Sequence, residues 1–411
     1  MHIPCAENPP QSVTHLTIAR SDISSASVFF RAATIAPGVE SRRFSAARRA
    51  FDWDRIIAVA LIENSVTILN ARLDSIAPAA VPSAMRDRIG RLALVWQFKL
   101  NLLEKRLHES VAVLSAADID VTLLKGAALA LTVYPRFSDR PMADLDIMVA
   151  PDRAALAHEL LRQSGWAVET GTRSPTAWDD HHHLAPLVDR DGSGLRLELH
   201  IAPLEPGNPF RLTAQNVLES SREIDLGSGR VRVPESHLHA VHAAIHYAYS
   251  HQFTSGSLNI FRDIAMLSAA GALDWRTFVA TAHQTGSESC CYWTLRLARA
   301  VAGVMVPDEV MQQLSPRLGV WSLSILEQHF SQLVLRAKTS CPSVELRHRL
   351  WAFALQVPMP DRTRTQRWDE GLEFSGRSQS SLRRLMAHVG RAPRWSRYVA
   401  SLVAPDIELS A

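Results

Sequence analysis

The segment Arg140-Pro141-Met142-Ala143-Asp144-Leu145-Asp146-Ile147-Met148-Val149 constrains this chain more tightly than any other stretch. Successive side chains of a β-strand leave on opposite faces. Leu145, Ile147 and Val149 therefore share one face, and Asp144, Asp146 and Met148 the other. The apolar face has to pack against helices. The polar face carries two carboxylates roughly 6.5 to 7 Å apart, each desolvated beside a like charge. A divalent cation removes that cost. Hard oxygen ligands suit Mg2+ or Mn2+, which keep waters and hold substrate phosphates at their open positions. Asp-x-Asp alone is more often a turn, a cap or a solvated face, so its surroundings must decide.

Those surroundings alternate between strand and helix. Ile119 to Leu124 is short and β-branched and ends at Lys125-Gly126; Ala127 to Val133 then reads as a helix stopped by Tyr134-Pro135. Leu145 to Val149 is a strand, Pro151 to Ser164 a helix, and Trp166-Ala167-Val168 opens another strand. His183 to Val188 and Leu195 to His200 read as a hairpin across the turn-rich run 189–194. Its second strand alternates Leu195, Leu197 and Leu199 with Arg196, Glu198 and His200. Pairing with the Asp144–Asp146 strand at about 4.8 Å would bring Glu198 to the aspartates. Three carboxylates could then hold two metal ions roughly 3.5 to 4 Å apart, the arrangement used for in-line displacement at phosphorus.

Outside this unit the period is helical. Trp53, Ile56, Ile57 and Ala60 share a face, and a long amphipathic stretch from Ser83 to Ala116 is expected to turn Leu92, Leu94, Val95, Phe98, Leu102 and Leu103 inward. Beyond Pro206 the pattern is mostly helical, with helices expected from Ser236 to His246, Leu258 to Leu267 and Trp275 to Ala282. The expected architecture is α+β, a small mixed β-sheet core flanked by N- and C-terminal helical regions. Its divisions are a loosely ordered arm (1–50), a helical region (51–117), the core (118–205), a second helical region (206–360) and an arginine-rich segment (361–411).

Composition narrows the partners. With 411 residues and 47% hydrophobic content, two or three packed units are within reach. Lys+Arg 44 against Asp+Glu 41 is too balanced to argue for nucleic acid. Cys5, Cys290, Cys291 and Cys341 have neither zinc-ligand spacing nor disulfide density. A reducing, cytoplasmic location is expected, since the polar, proline-containing start does not read as a signal peptide. Apolar runs such as Ile56 to Ile62 fall well short of the roughly 20 residues of a membrane span.

Leu123-Leu124-Lys125-Gly126-Ala127-Ala128-Leu129-Ala130, then Tyr134-Pro135, then Arg140 to Val149, resembles a largely uncharacterised bacterial nucleotidyltransferase-like family. Leu197-Glu198-Leu199-His200 is similar to that family's later acidic strand, and Phe51-Asp52-Trp53, Arg262-Asp263-Ile264-Ala265 and Leu273-Asp274-Trp275 look similar to its flanking helices. The resemblance covers roughly residues 50 to 300 and extends to the DNA-polymerase-β-like superfamily. It implies a small mixed sheet with helices on one side and transfer of a nucleoside monophosphate from an NTP such as ATP. By position Asp144 and Asp146 match the metal-binding pair and Glu198 the third carboxylate. One departure is plain: the superfamily's usual Gly-Ser turn is here Lys125-Gly126-Ala127, with backbone N–H groups and a lysine but no hydroxyl.

Each candidate has a plainer reading beside the functional one. Lys125 would steady the β/γ-phosphates or be a surface lysine, while Gly126 serves close backbone approach. Arg140 would bind phosphate or balance a carboxylate. His200 would act as base toward the acceptor or orient Glu198. His181-His182-His183 reads better as a polar strand entrance than as a metal cluster. His242 and His246, spaced i,i+4, read as a helix face over the cleft rather than a zinc pair. The run of Arg362, Arg364, Arg367, Arg377, Arg383, Arg384, Arg391, Arg394 and Arg397 reads as a solvated face rather than an RNA surface.

The resulting expectation is a Mg2+- or Mn2+-dependent nucleotidyltransferase. Asp144, Asp146 and Glu198 would be its metal ligands, and Lys125, Gly126 and Arg140 would meet the nucleotide. The acceptor is open among a small molecule, a peptide or protein and an RNA end. The alternatives are a catalytically degenerate nucleotide-binding or regulatory protein, a phosphotransferase on the same fold, and a helical adaptor.

Overall fold

The computed structural model describes residues 27, 29–34, 52–76, 81–170, 181–335 and 343–358, with 398 and 402. Cys5, Cys341, the arginine-rich run and most of the N-terminal arm lie outside them.

Helices α1 (Trp53–Ile62), α2 (Val66–Ile76) and α3 (Ser83–Ser115) lead into the sheet. Asp52 caps α1 by accepting from the Arg55 backbone N–H at 3.0 Å, which satisfies a donor the helix cannot. At 33 residues α3 runs about 50 Å and serves both hydrophobic cores. Ile89 and Ala93 join the core of the helical region. Leu100, Leu103, Leu107, Val111 and Leu114 join the core beneath the sheet. Leu94, Val95 and Phe98 point away, 71%, 58% and 69% exposed. The expected inward set is thus corrected: at 3.6 residues per turn these three fall opposite the Leu100–Leu103–Leu107 stripe.

The chain then builds β1 (Thr122–Leu123), α4 (Lys125–Thr132), β2 (Asp144–Met148), α5 (Ala154–Gln163), β3 (Trp166–Val168), β4 (Leu187–Asp189) and β5 (Arg196–His200). A short helix α6 (Ala214–Glu219) leads into β6 (Ser221–Asp225) and β7 (Arg230–Pro234). The seven strands lie in the order β3-β4-β5-β2-β1-β7-β6. β2 runs parallel to β5 and antiparallel to β1, and β7 pairs parallel with β1 through Thr122 and Arg232. The sheet therefore continues past residue 205, and β6 and β7 belong to it although the region beyond Pro206 reads as mostly helical. Arg-Val-Arg-Val at β7 does alternate, and Val231 and Val233 enter the sheet core.

Helices α7 (Ser236–Ile245), α8 (Ser257–Ala269), α9 (Trp275–Thr285), α10 (Glu288–Ala302), α11 (Asp308–Leu314), α12 (Val320–Val334) and α13 (Val344–Leu355) follow, with a π turn at His246–Ser250 after α7. They share one core with α1, α2 and the start of α3. Cys290 and Cys291 are buried there as free thiols. Residues 29–34 also enter it: Phe29 and Phe30 are fully buried, and Thr34 Oγ1 donates to Ala302 O at 3.0 Å. That short stretch is packed helix and not part of a loose arm. Among the described residues no helix is long and apolar enough to cross a membrane.

Candidate active site

Strand β2 delivers what its alternation promised. Leu145 and Ile147 are fully buried in the core under the sheet, with Leu197 and Leu199 of β5 beside them. The other face carries Asp144, half-buried, and Asp146, buried. The parallel β2–β5 register sets Asp144 opposite Arg196, Asp146 opposite Glu198 and Met148 opposite His200. All three carboxylates thus share one face. Arg196 turns to Glu169, Nη2 to Oε2 2.9 Å.

Lys125 joins them from the first residue of α4. Its Nζ donates to Asp146 Oδ1 at 2.6 Å, and its φ of +44° lies in a region costing a non-glycine residue about 1–2 kcal/mol. Gly126 has a steric reason. A Cβ there would meet Arg140 Nη1 at 3.0 Å and Met142 Cβ and Sδ at 3.3 Å. His200, fully buried, sets Nε2 2.9 Å from the same Asp146 Oδ1 and 3.7 Å from Glu198 Oε2. That nitrogen already meets Asp146.

The electrostatics divide the three acids. Burial, then the Asp146 and Glu198 charges, push Asp144 up from 3.8 to about 7. Burial also works against charge on Asp146, but Lys125 and His200 outweigh it and hold the carboxyl well below its ordinary range. Glu198 falls from 4.5 to about 2, burial being overcome by His200, Lys125 and His183 despite Asp146. Burial alone would lower Lys125, yet Asp146, Glu198 and Asp144 raise it. The cluster therefore lacks positive charge: without a cation, Asp144 takes up a proton near neutrality. An oxygen-rich, charge-deficient cluster fits a hard divalent ion.

Arg140 stands elsewhere. Its Nε and Nη2 grip Asp263 of α8 at 3.0 and 2.7 Å, and Nη1 donates to Pro141 O at 2.8 Å. Tyr134 OH donates to the same Asp263 Oδ1 at 2.7 Å. This bidentate pair occupies the donors that the phosphate reading gave to the nucleotide. The carboxylate Arg140 pairs with is Asp263, and Asp144 acts on it as a weaker neighbouring charge.

Histidines gather near the carboxylates; the sequence reading singles out His181, His182, His183, His200, His242 and His246 but not His239 or His251. His242 Nε2 is 3.0 Å from Pro203 O, so it is a tied-down helix residue. His246 falls in the π turn and stacks on His251, ring centroids 4.3 Å apart. Neither reads as half of a zinc pair. His183 Nε2 lies 3.8 Å from Glu198 Oε2, a contact that only the His183–His200 bridge creates. The density of histidine around 181–200 and 239–251 is the signal that could have marked this gathering.

A family model described as an uncharacterised nucleotidyltransferase matches residues 49–303, more than half of the 411. The chain belongs to that nucleotidyltransferase family. No curated protein and no solved structure matches it. The matched span takes in α1 through α10, so within this family the sheet and the helices that wall its cleft form one matched stretch.

Proposed function

We propose that the protein transfers a nucleoside monophosphate from an NTP to a hydroxyl acceptor, with Asp144, Asp146 and Glu198 holding the divalent metal. The register of Asp146 against Glu198, with Asp144 two residues earlier on the same face, is the observation that carries this reading. Mg2+ bound there would neutralise the acidic cluster and align the acceptor oxygen and the α-phosphate for in-line displacement. The acceptor hydroxyl forms the new O–P bond as the bond to pyrophosphate breaks, and its proton passes to the carboxylate cluster. Lys125 leaves Asp146 for the β/γ-phosphates once a cation replaces it. The strained φ of Lys125 supports this, since such conformations persist where a residue's placement is over-determined. Leu124 gives the start of α4 no side-chain cap, which leaves its first backbone N–H groups for phosphate. His200 orients Asp146, and Arg140 sets the α4 approach through Asp263 and Gly126.

A second reading is favoured by one contact. Lys125 and His200 both already occupy Asp146 Oδ1, which suits a protein that binds a nucleotide without turnover. The test is pyrophosphate release on mixing the full chain with Mg2+, each NTP and panels of small hydroxyl compounds, peptides and RNA. Release that Asp144→Asn abolishes supports transfer. Nucleotide binding without release supports the second reading, and NDP instead of pyrophosphate marks a phosphotransferase.

A further inference from the structure

We infer that His181, His182 and His183 form a second cation site, of nitrogen-ligand character, that takes a transition ion such as Zn2+ beside the carboxylates. On a strand, three consecutive side chains could not converge, because alternate residues leave opposite faces. This stretch is not a strand. His181 and His182 lie in a bend, and only His183 makes a bridge, to His200. The bend is held by its backbone: Ile201 and Ala202 N–H donate to His182 O at 2.8 and 3.2 Å, and Leu184 N–H donates to Leu199 O at 2.9 Å.

The rings consequently gather. Their centroids are 4.3 Å (181–182), 4.0 Å (181–183) and 4.9 Å (182–183) apart. One ring nitrogen of each lies within 4.8 Å of the other two. A tetrahedral ion with bonds of about 2.0–2.1 Å needs nitrogens about 3.4 Å apart. Binding an ion would require the rings to turn toward one another.

Hydrogen bonds prepare the lone pairs. His183 Nδ1 donates to Leu184 O at 2.7 Å, which leaves Nε2 as the nitrogen with the lone pair. His181 Nδ1 accepts weakly from the His183 backbone N–H at 3.3 Å, a bond that an ion on Nδ1 would replace, and its Nε2 lies 3.9 Å from Glu205 Oε1. A carbonyl behind one imidazole and a carboxylate behind another is how proteins aim metal-binding histidines. Among the described residues, His182 Nδ1 is buried without a hydrogen-bond partner. Three imidazoles favour Zn2+, Co2+ or Ni2+ over Mg2+, and they leave one open position for water or an anionic group. Glu198 Oε2, 3.8 Å from His183 Nε2, lies between the two sites. The inference does not depend on the proposed transfer chemistry, since it concerns different ligands and a different ion.

The test uses the untagged full chain, stripped of metal and titrated with Co2+, whose visible bands report coordination number and imidazole ligands. One equivalent is expected to give intense four- or five-coordinate bands that Zn2+ displaces and excess Mg2+ does not. His182→Asn combined with His183→Gln is expected to lose them, while Asp144→Asn retains them. Absence of these bands from the wild-type chain overturns the site, with no dependence on any variant's folding. Bands lost in Asp144→Asn but kept in the histidine variant overturn it as well, because the ion then belongs to the carboxylates. Retained far-ultraviolet circular dichroism in the histidine variant, with the bands gone, completes the expected result.

Discussion

Two buried charge clusters flank the start of α4, and they are built on opposite principles. Around Asp263, one arginine meets both oxygens of one carboxylate in a bidentate pair, and Tyr134 donates to one of the same oxygens, Oδ1. That cluster is closed, and it ties the loop before β2 to α8. Around Asp146, three carboxylates face one lysine and one histidine, and burial together with the neighbouring carboxylate charges raises Asp144 to about 7. A cluster of that kind is incomplete without a further cation. Buried charge that balances itself holds a fold together; buried charge in excess marks a place for a ligand.

Substitution should separate the two. The largest effect is expected from Asp263→Ala, which strands the Arg140 guanidinium and should cost about 3–5 kcal/mol in urea unfolding. Arg140→Met with Asp263→Leu should recover most of it, since no charge then stays buried alone. A loss below about 1 kcal/mol for the single change would reduce the pair to the weight of a surface contact. In the open cluster the order reverses. Asp144→Asn removes surplus charge, so melting at neutral pH in the absence of metal should be unchanged or higher. Pyrophosphate release should nevertheless fall roughly 100- to 1,000-fold, the usual scale for losing one preorganised electrostatic group. Equal losses of stability from both substitutions would erase the distinction.

The open cluster was the more legible of the two in the sequence. Period-2 alternation fixes which side chains share a face, so Asp144, Asp146 and Glu198 could be grouped before their strands were paired. The α+β layout was legible for the same reason, through apolar periods at 53–60 and 258–267. The Arg140–Asp263 pair joins residues 123 positions apart across two regions, and no local pattern encodes such a distance. Strand β7 pairs along its length with β6 in a local hairpin across Gly227-Ser228-Gly229, a turn signal passed over because the surrounding pattern is helical. Leu94, Val95 and Phe98 misled because apolar residues at neighbouring positions of a long helix cannot all face one core.

Gly126 links the two clusters and gives a smaller test. In an exposed helix Gly→Ala gains about 1 kcal/mol. Here the new methyl meets Arg140 Nη1 at 3.0 Å, and that guanidinium cannot yield without loosening Asp263. Overpacking of this kind costs about 1–3 kcal/mol, so a net loss near 1 kcal/mol is expected. In the Arg140→Met, Asp263→Leu background the loss should shrink, because the obstructing group is gone. Equal losses in both backgrounds would assign the clash to Met142.

The smallest effect lies in pH dependence and bears on the open cluster alone. Asp144 titrates near 7 in the folded chain against an ordinary 3.8. The native state therefore holds this proton more tightly than the unfolded state between those values, and stability from this group declines as pH rises from 3.8 to about 7. Glu198 has the opposite sign: lowered from 4.5 to about 2, it adds stability above 4.5 that is lost as pH falls toward 2. Between 4.5 and about 6 the Asp144 slope runs against that of buried histidines such as His239 and His251, which burial lowers from 6.5 to about 4, so it is read as a difference from Asp144→Asn, in which those histidines are unchanged. Wild type should lose stability against Asp144→Asn as pH rises across that window, and Mg2+ should remove the difference by supplying the charge the proton replaced. Parallel profiles for the two proteins without metal would mean that Asp144 carries no excess charge burden, and the open cluster would then be as closed as the one around Asp263.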